Sequence, residues 1–289
     1  MQVTKELIEN NWPLTEVEIH SIPEQGMGGM VGIVVAREGK FTYKIAGSWK
    51  TAENLDRDLG AYDFLRDQGF EHITTLLKAK DNKKLVVVED KLIYLLAFIE
   101  GDRPQPTPET YSKIGGITAK LHSIKNFPFG TDLKPADVIP DLIKNAEKQS
   151  YKNEYVAILG TLPNFEKYPK TLIHTDLSSG NFIESPDGQL FIIDWDEVGI
   201  GPTVLDLGVP LLNDFVTEDL EVMEENAKAY YQSYFTGRGM SREEKEGIYY
   251  AGLFWMCMYI QYGDNFKRWN RIKWALANRA RIEGLFLGL

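Results

Sequence analysis

The stretch TLIHTDLSSGNFIESPDGQLFIIDWD, residues 171–196, indicates both the fold and the chemistry of this chain. At its centre stand Pro186, Asp187 and Gly188, which favour a tight turn. Proline presets φ, aspartate can bond its own backbone, and glycine tolerates a positive φ. The flanking residues 181–183 and 190–193 are short runs rich in β-branched and aromatic side chains, as strands are. The stretch therefore predicts a β-hairpin.

Two carboxylates and one amide come together when the chain folds about this turn. Asp194 returns to the end of the hairpin that holds Asn181, and Asp176 lies on the loop that enters the first strand. A metal-assisted phosphoryl transfer needs this set. One carboxylate orients an attacking hydroxyl and accepts its proton, while the other carboxylate and the amide oxygen bind Mg²⁺. Ordinary loop and turn carboxylates are the alternative interpretation.

HTDLSSGN, followed after the hairpin by IIDWD, resembles the catalytic core of the aminoglycoside phosphotransferase family, small-molecule kinases with the protein-kinase-like fold. The resemblance places His174 and Asp176 on the family's H-x-D and Asn181 on its asparagine. It places Asp194 on the aspartate that matches the protein kinases' D-F-G. It therefore implies that Asp176 is the catalytic base and that Asn181 and Asp194 are the metal ligands.

A second segment carries the same resemblance. GPTVLDLG, residues 201–208, resembles the family's G-D-P-x-x-x-D-L and places Asp206 on an aspartate behind the catalytic residues. The chain departs from the family at two points. Pro202 follows Gly201 where the family often has aspartate, and Thr175 stands where most members have glycine. Neither change removes a catalytic atom.

The composition is that of an ordinary globular protein, with 289 residues, 43% hydrophobic and 26% charged, enough for two lobes and a substantial core. The formal net charge of −10 argues against nucleic acid as a partner and permits a cationic substrate. A single cysteine, Cys257, excludes an internal disulfide and fits a reducing cytoplasm. The N-terminus lacks a signal-peptide pattern, and the longest apolar run, residues 248–260, is too short to span a bilayer. No membrane association is expected.

The N-terminal third has the order of elements of a kinase N-lobe. Gly26, Gly28, Gly29 and Gly32 precede a β-branched run, and their backbone amides could approach the phosphates of a nucleotide. A plain glycine hairpin is the alternative. Lys44 follows within a predicted strand, where a charged side chain is costly unless it is paired. By this order, Lys44 is the expected ligand of the α- and β-phosphates.

A helix predicted to begin near Thr51 and to end before Gly69 comes next. By the resemblance, this helix supplies the acidic partner of Lys44. Aligned on Leu65, the family's glutamate position falls on Asp58, with Glu53 as the fallback. Aspartate is shorter than glutamate, so the sequence leaves this pairing open.

Two further strands, residues 84–89 and 92–99, lead to the expected lobe boundary. Residues 97–101 and the proline-rich segment after them resemble the family's hinge, where backbone groups hydrogen-bond adenine. The resemblance implies adenine contacts for the backbone of Phe98 and Ile99. A simple edge strand that runs into a loop is the alternative.

Helical spacing predominates after the hinge. It predicts a helix over residues 108–123, one or two helices in 135–162, an amphipathic helix over 217–235 with an acidic start, and two aromatic-rich helices near the C-terminus. Residues 264–289 carry six basic and two acidic side chains. Such a tail disfavours a strongly cationic aminoglycoside as substrate, unless its basic face points to solvent.

The sequence thus predicts an α+β, protein-kinase-like fold with an antiparallel-sheet nucleotide-binding lobe (residues 1–97) and a mainly helical catalytic and substrate-binding lobe (residues 98–289). The implied function is Mg²⁺-dependent transfer of the ATP γ-phosphate to a hydroxyl of an antibiotic or similar compound, by a cytoplasmic monomer or dimer. Two alternatives stay open. One is a metabolic kinase of choline, homoserine or a sugar-like substrate, and the other is a catalytically inactive nucleotide-binding module.

Overall fold

The structure, a computed structural model, describes residues 3–21, 30–128, 131–260 and 265–289, without the side chains of Ser21, Thr131 and Asn265. Up to residue 102 the elements are α1 (Lys5–Asn11), β1 (Glu18–Ser21), β2 (Met30–Ala36), β3 (Gly39–Ile45), α2 (Ala52–Asp67), β4 (Leu76–Leu77), β5 (Val86–Val88) and β6 (Lys91–Ala97). Then follow α3 (Pro108–Ser123), β7 (Thr131–Asp132), α4 (Pro135–Asn145), α5 (Lys152–Leu159) and β8 (Lys170–Ile173). The hairpin consists of β9 (Phe182–Glu184) and β10 (Leu190–Ile192). The remaining elements are β11 (Gly199–Pro202), α6 (Thr203–Asn213), α7 (Glu224–Gly237), α8 (Arg242–Tyr259), α9 (Asn265–Ala277) and α10 (Arg279–Glu283).

The chain folds into two compact units. The sheet unit comprises Met1–Asp102 and Ile183–Glu197, and the helical unit comprises Arg103–Phe182 and Val198–Leu289. This confirms the predicted α+β fold, with an antiparallel sheet in one unit and mostly helices in the other. The division of function between residues 1–97 and 98–289 stays a prediction.

The sheet unit is built on an antiparallel sheet in the order β1-β2-β3-β6-β4, with β5 also paired to β6. Alternation along β3 places Tyr43 and Ile45 in the core and leaves Lys44 half-buried on the other face. In the β3–β6 register, Lys44 stands opposite Tyr94. The strand thus presents one cation next to one phenol on the same face.

Helix α2 begins where the sequence predicts. The Thr51 hydroxyl accepts the backbone N–H of Asn54, and such a cap stabilises a helix by about 1 kcal/mol. Leu55, Leu59 and Leu65 have no exposed surface and form its apolar face. Burial of each leucine contributes roughly 2 kcal/mol.

The hairpin belongs to the sheet unit although it is distant in sequence. Ile192 forms a parallel bridge with Ile73 and donates its N–H to the carbonyl of His72 at 2.8 Å. Trp195 is fully buried, with its ring edge-on to Phe70 at a centroid distance of 6.3 Å. These contacts fix the turn that follows β10.

Two helix pairs dominate the helical unit, α3 with α7 and α6 with α8. Both pairs approach closely at a glycine. A Cβ on Gly115 of α3 would lie 2.2 Å from the Tyr230 carbonyl oxygen, and one on Gly208 of α6 would lie 2.5 Å from the backbone of Ala251. A short sheet in the order β7-β11-β8 completes the unit.

The prediction of a helix from residue 217 was wrong at its start, because the helix begins at Glu224. Leu220 has a φ of 64°, and Val216 forms an antiparallel bridge with Val222, so the acidic segment makes a turn. Helix α6 was not predicted at all. It is buried on all sides, so it has no polar face to reveal a helical period.

Among the described residues, no helix combines the length and the apolar character that a membrane crossing requires.

Candidate functional site

In the helical unit, the loop after β8 is held by Asp206. This side chain lies in the first turn of α6 and has no exposed surface. Its two oxygens accept the backbone N–H groups of His174 at 2.7 Å and of Thr175 at 2.8 Å. Charge-assisted hydrogen bonds of this kind are about twice as strong as neutral ones. Asp206 therefore fixes the backbone that leads to Asp176.

A buried histidine supports Asp206 from the other side. His122 Nε2 lies 3.1 Å from Asp206 Oδ2, and His122 Nδ1 lies 2.9 Å from the Tyr234 hydroxyl. Burial lowers the pKa of His122, which keeps the ring neutral although Asp206 acts in the opposite sense. A carboxylate can only accept, so Nε2 carries the proton and Nδ1 accepts from Tyr234. His122 thus has a structural role, since it holds Asp206 in place.

Thr175 occupies a backbone conformation that glycine normally adopts. Its φ is 74°, which is rare for a β-branched residue and costs of the order of 1–3 kcal/mol. Glycine, which most members of the similar family have here, would adopt this φ without strain. The two hydrogen bonds to Asp206 hold the strained peptide in place.

Both carboxylate oxygens of Asp176 have oriented donors. Asn181 Nδ2 donates to Asp176 Oδ2 at 2.8 Å and to its backbone carbonyl at 2.6 Å. The Tyr259 hydroxyl donates to Asp176 Oδ1 at 2.9 Å. Burial and the Asp176 charge raise the pKa of Tyr259 well above its usual range, so the phenol keeps its proton. Asp176 is itself exposed, so a small molecule could reach its carboxylate.

A second aspartate supports the turn that carries Asn181. Asp214, at the end of α6, accepts the Ser179 backbone N–H at 2.7 Å, within the short helical turn Ser179–Asn181. Burial raises the pKa of Asp214 to about 6, helped by the Asp176 charge and opposed by the hydrogen bonds from Ser179 and Tyr111. The Asp214 carboxyl group therefore keeps its proton to a higher pH than an ordinary aspartate does.

In the sheet unit, Lys44 lies between the two aspartates that follow β10. Its Nζ is 2.6 Å from Asp194 Oδ1 and 3.3 Å from Asp196 Oδ1. Burial would lower the pKa of the Lys44 ammonium, but the charges of Asp196 and Asp194 outweigh it and raise the pKa. Asp194 has a φ of 68°, which marks the sharp turn out of the strand.

The structure does not pair Lys44 with Asp58. Asp58 is buried on α2 and binds Lys50 Nζ at 3.1 Å and Arg57 at 3.1 Å. The physical reason is reach, because Lys50 extends its own ammonium to the short aspartate side chain. The Lys44–Asp58 ion pair, which the sequence left open, does not form in this structure, and a role for Asp58 in cofactor binding stays a prediction.

The predicted adenine hinge follows β6. The Phe98 N–H donates to the Lys40 carbonyl at 3.0 Å, so that donor is already used within the sheet unit. Ile99 and the Phe98 carbonyl remain the predicted adenine partners. Gly28 and Gly29 of the glycine loop lie outside the described residues, and their contacts with nucleotide stay predictions.

The donor chemistry fits Mg²⁺. Asp194 offers hard carboxylate oxygens on a side chain that is 51% exposed. Asn181 uses its amide nitrogen for Asp176, which leaves its amide oxygen for other partners. Mg²⁺ prefers oxygen ligands and keeps several waters, so one or two protein ligands suffice.

Sequence reasoning missed three residues: Tyr259 and Asp214 in the helical unit, and Asp196 in the sheet unit. Tyr259 lies at the end of a long aromatic helix, where neither spacing nor motif distinguishes it. Asp214 follows a helix whose existence the sequence did not reveal. Asp196 is the second acid of IIDWD, but nothing in the sequence shows that it contacts Lys44. That contact is found only in the structure.

The sequence profile described as "Phosphotransferase enzyme family" (APH) matches residues 34–243. Among solved structures, a microcompartment-associated aminopropanol kinase gives a TM-score of 0.74 at 14% identity, covering 98% of this chain and 98% of that chain. A spectinomycin phosphotransferase in complex with ADP and spectinomycin gives 0.63 at 16% identity, covering 96% and 95%. A choline kinase from Streptococcus pneumoniae gives 0.65 at 20% identity, covering 96% and 97%. At these identities the likeness to the three structures is one of fold.

Proposed function

We infer that this chain, which belongs to the APH phosphotransferase enzyme family, is a small-molecule kinase that transfers the γ-phosphoryl group of ATP to a hydroxyl. The observation that supports this most is the arrangement around Asp176. An exposed carboxylate has Asn181 on one oxygen and Tyr259 on the other, at 2.8 and 2.9 Å. A base held in one orientation is what in-line phosphoryl transfer requires.

In the proposed mechanism, Asp176 accepts a hydrogen bond from the acceptor hydroxyl and takes its proton as the hydroxyl attacks. Lys44 holds the α- and β-phosphates, and the Phe98 carbonyl and the backbone of Ile99 contact adenine. Asn181 and Asp194 would hold Mg²⁺, which when bound neutralises phosphate charge. Catalysis then rests on positioning and electrostatics, with no covalent step on the protein.

The charged C-terminal segment does not decide the acceptor. Its bases pair with acids of the same unit: Lys267 with Glu218 at 2.9 Å, and Arg281 with Glu224 at 3.0 Å. Acids at and just before the start of α7 therefore neutralise part of the positive charge of the basic tail. The argument against a cationic acceptor is weaker by these two ion pairs, because paired bases repel a cation less than unpaired ones do.

The proposed acceptor is a hydroxylated small molecule, either an antibiotic, with resistance as the role, or a metabolite. The similar solved structures are named as kinases of aminopropanol, spectinomycin and choline, compounds that each carry a hydroxyl and a nitrogen. The proposal also includes a cytoplasmic location and action as a monomer or dimer. Cys257 is buried, which raises its pKa to about 12 and keeps the thiol unreactive.

The decisive test is ADP release from Mg-ATP across a panel of aminoglycosides, aminocyclitols, macrolides, amino alcohols, choline, homoserine and methylthioribose. We expect turnover on one class, and loss of at least about 10³-fold in Asp176→Asn. Asp141→Asn, an exposed acid of α4, is the matched control and should keep full activity. Tight Mg-ATP binding without turnover on any acceptor would favour the inactive nucleotide-binding module. Absence of Mg-ATP binding would contradict the proposed function altogether.

A further inference from the structure

The two aspartates that contact Lys44 have different surroundings. The Asp194 side chain is 51% exposed, whereas the Asp196 side chain is 17% exposed. Asp196 lies in the short helical turn Trp195–Glu197, directly after the buried Trp195. The Trp195 indole donates to the Ile192 carbonyl at 2.9 Å, which anchors this turn to the hairpin. Asp196 is therefore the better fixed of the two carboxylates.

Tyr94 determines where the Asp196 carboxylate points. Its hydroxyl donates to Asp196 Oδ1, the same oxygen that lies 3.3 Å from Lys44 Nζ. Tyr94 is fully buried and stands opposite Lys44 in the β3–β6 register. The sheet thus brings a phenol and an ammonium to a single carboxylate oxygen.

A second lysine fixes the backbone of the same turn. Lys50 Nζ donates to the Asp196 carbonyl and reaches Asp58 Oδ2 at 3.1 Å. Arg57 binds the other oxygen of Asp58 at 3.1 Å. Both oxygens of Asp58 are thus occupied by cations other than Lys44, and its side chain is only 4% exposed.

These contacts separate two tasks. Asp194 is exposed and has carboxylate oxygens of the kind that Mg²⁺ binds. A carboxylate that binds a metal cation attracts a neighbouring lysine less strongly, because part of its negative charge is neutralised. Lys44 then still needs a fixed anion, because a half-buried ammonium without one is unfavourable. Asp196 is the carboxylate in place to supply it.

We propose that Asp196, oriented by Tyr94, is the positioning residue that holds Lys44 toward the nucleotide phosphates, and that the α2 carboxylate Asp58 instead fixes the Asp196 turn through Lys50. This inference rests on the proposed function, since it concerns how Lys44 meets the nucleotide.

The test is Mg-ATP binding to the full chain by titration calorimetry, together with the KM values for ATP and for the acceptor. Asp196→Asn keeps the shape and removes the charge. We expect a Kd for Mg-ATP weaker by on the order of tenfold, an equal rise in the KM for ATP, and an unchanged KM for the acceptor. Tyr94→Phe removes one hydroxyl and should weaken Mg-ATP binding by a smaller factor. It serves as a second test of the inference if Asp196→Asn folds poorly.

Asp58→Asn is the contrasting variant, and Asp67→Asn, an exposed acid at the end of α2, is the matched control. We expect Asp58→Asn to lower the melting temperature more than it weakens Mg-ATP binding, and its effect on Kd to stay below that of Asp196→Asn. An effect of Asp58→Asn on Kd that equals or exceeds that of Asp196→Asn overturns the inference. A wild-type chain that binds Mg-ATP while Asp196→Asn and Tyr94→Phe bind it equally well also overturns the inference, but leaves the proposed function intact. A wild-type chain without affinity for Mg-ATP overturns both.

Discussion

Asp206 shows how one buried carboxylate can determine the conformation of a loop. It accepts two consecutive backbone N–H groups, those of His174 and Thr175, and a third donor from His122. Because Thr175 is strained at a φ of 74°, the loop depends on this acceptor more than an unstrained loop would.

Asp206→Asn should therefore destabilise the fold. An amide in place of the carboxylate turns one acceptor oxygen into a donor, which leaves one buried N–H without a partner. The expected loss is about 2–3 kcal/mol in the free energy of unfolding, measured by urea denaturation. Asp141→Asn, on the exposed face of α4, should change it by less than about 0.5 kcal/mol. Equal stability of the two variants would contradict this role for Asp206.

Asp214 makes stability depend on pH in a defined direction. Its pKa is raised to about 6 in the folded chain from an ordinary value of 3.8, chiefly by burial. The folded chain therefore binds this proton more tightly than the unfolded chain does. The stabilisation of the fold by the protonated Asp214 is fully present below about pH 4. It falls as pH rises from about 4 to 6 and is lost above that range.

Asp214→Asn removes this titration and retains an oxygen that can accept from Ser179. The free energy of unfolding of the variant, relative to wild type, should rise between pH 4 and pH 7 by up to about 3 kcal/mol. Urea unfolding of both proteins at four pH values measures it. The groups that face Asp214 are Ser179, Tyr111 and the Asp176 charge. A difference between the two proteins that does not vary with pH would refute the shifted pKa.

At the residue scale, the sequence indicates the groups with chemical roles better than it indicates their partners. Asp176, Asn181 and Asp194 belong to a sequence motif. Their order along the chain can be recognised without knowing how the side chains pack. Several partners of Asp176 and Lys44 lie far away in the chain, such as Tyr259, 83 positions from Asp176. Hydrogen bonds of this kind leave no local pattern, so the sequence could not decide which carboxylate pairs with Lys44.

Among the elements, the α3–α7 pair depends on a glycine at its closest point. The two adjacent glycines of α3 differ in what a methyl group would meet. At Gly115 it would lie 2.2 Å from a backbone oxygen of α7, and at Gly116 it would lie 3.3 Å from the Ser233 hydroxyl. A side-chain hydroxyl can rotate away, whereas a helix backbone cannot.

Gly115→Ala should lower the free energy of unfolding by about 2–3 kcal/mol, because the helices must separate to accept the methyl group. Gly116→Ala should leave it unchanged or raise it by up to about 1 kcal/mol, because alanine favours the helix. Urea denaturation of the pair tests the packing with the same chemical change at neighbouring positions. Equal loss in both variants would show that helix propensity or general crowding, and not the approach of α7, sets the cost.

Helices and strands with a polar face were predicted well, and elements without one were missed. α2 and α3 begin at Thr51 and Thr107, whose hydroxyls cap them, and each has an apolar face. α6 is buried on every side, so its sequence shows no alternation of polar and apolar faces. It also contains Pro210, a residue that disfavours a helix interior. The acidic residues before α7 resemble the acidic first turn of a helix, which is why the sequence predicts a helix there. In the structure the chain makes a turn at this point, with Leu220 at a φ of 64°.

At the scale of the whole molecule, the sheet unit is discontinuous, since the hairpin Ile183–Glu197 completes it. Besides the contacts of Ile192 and Trp195, Glu184 and Asp102 exchange backbone hydrogen bonds of 2.9 and 3.2 Å. An isolated fragment of residues 1–102 lacks these partners and leaves Phe70 and Ile73 exposed. We expect it to unfold without a cooperative transition in urea.

The matched control is a chimera in which a short Gly-Ser linker joins residue 102 directly to residues 182–197. The Asp102–Glu184 bridge brings these positions together, so a short linker suffices. The chimera should regain a cooperative transition. A fragment of residues 1–102 that unfolds as cooperatively as the chimera would contradict the dependence on the hairpin.

The discontinuity also sets an order of events during synthesis. On the ribosome, the first 102 residues emerge well before the hairpin that covers Phe70 and Ile73, and residue 197 must leave the exit tunnel before the sheet unit can close. Until then, part of its apolar surface is available to chaperones or to other nascent chains. Asp194 and Asp196, which contact Lys44, leave the ribosome in the same interval as the rest of the hairpin. The sheet unit therefore completes its fold and its charged cluster in one step.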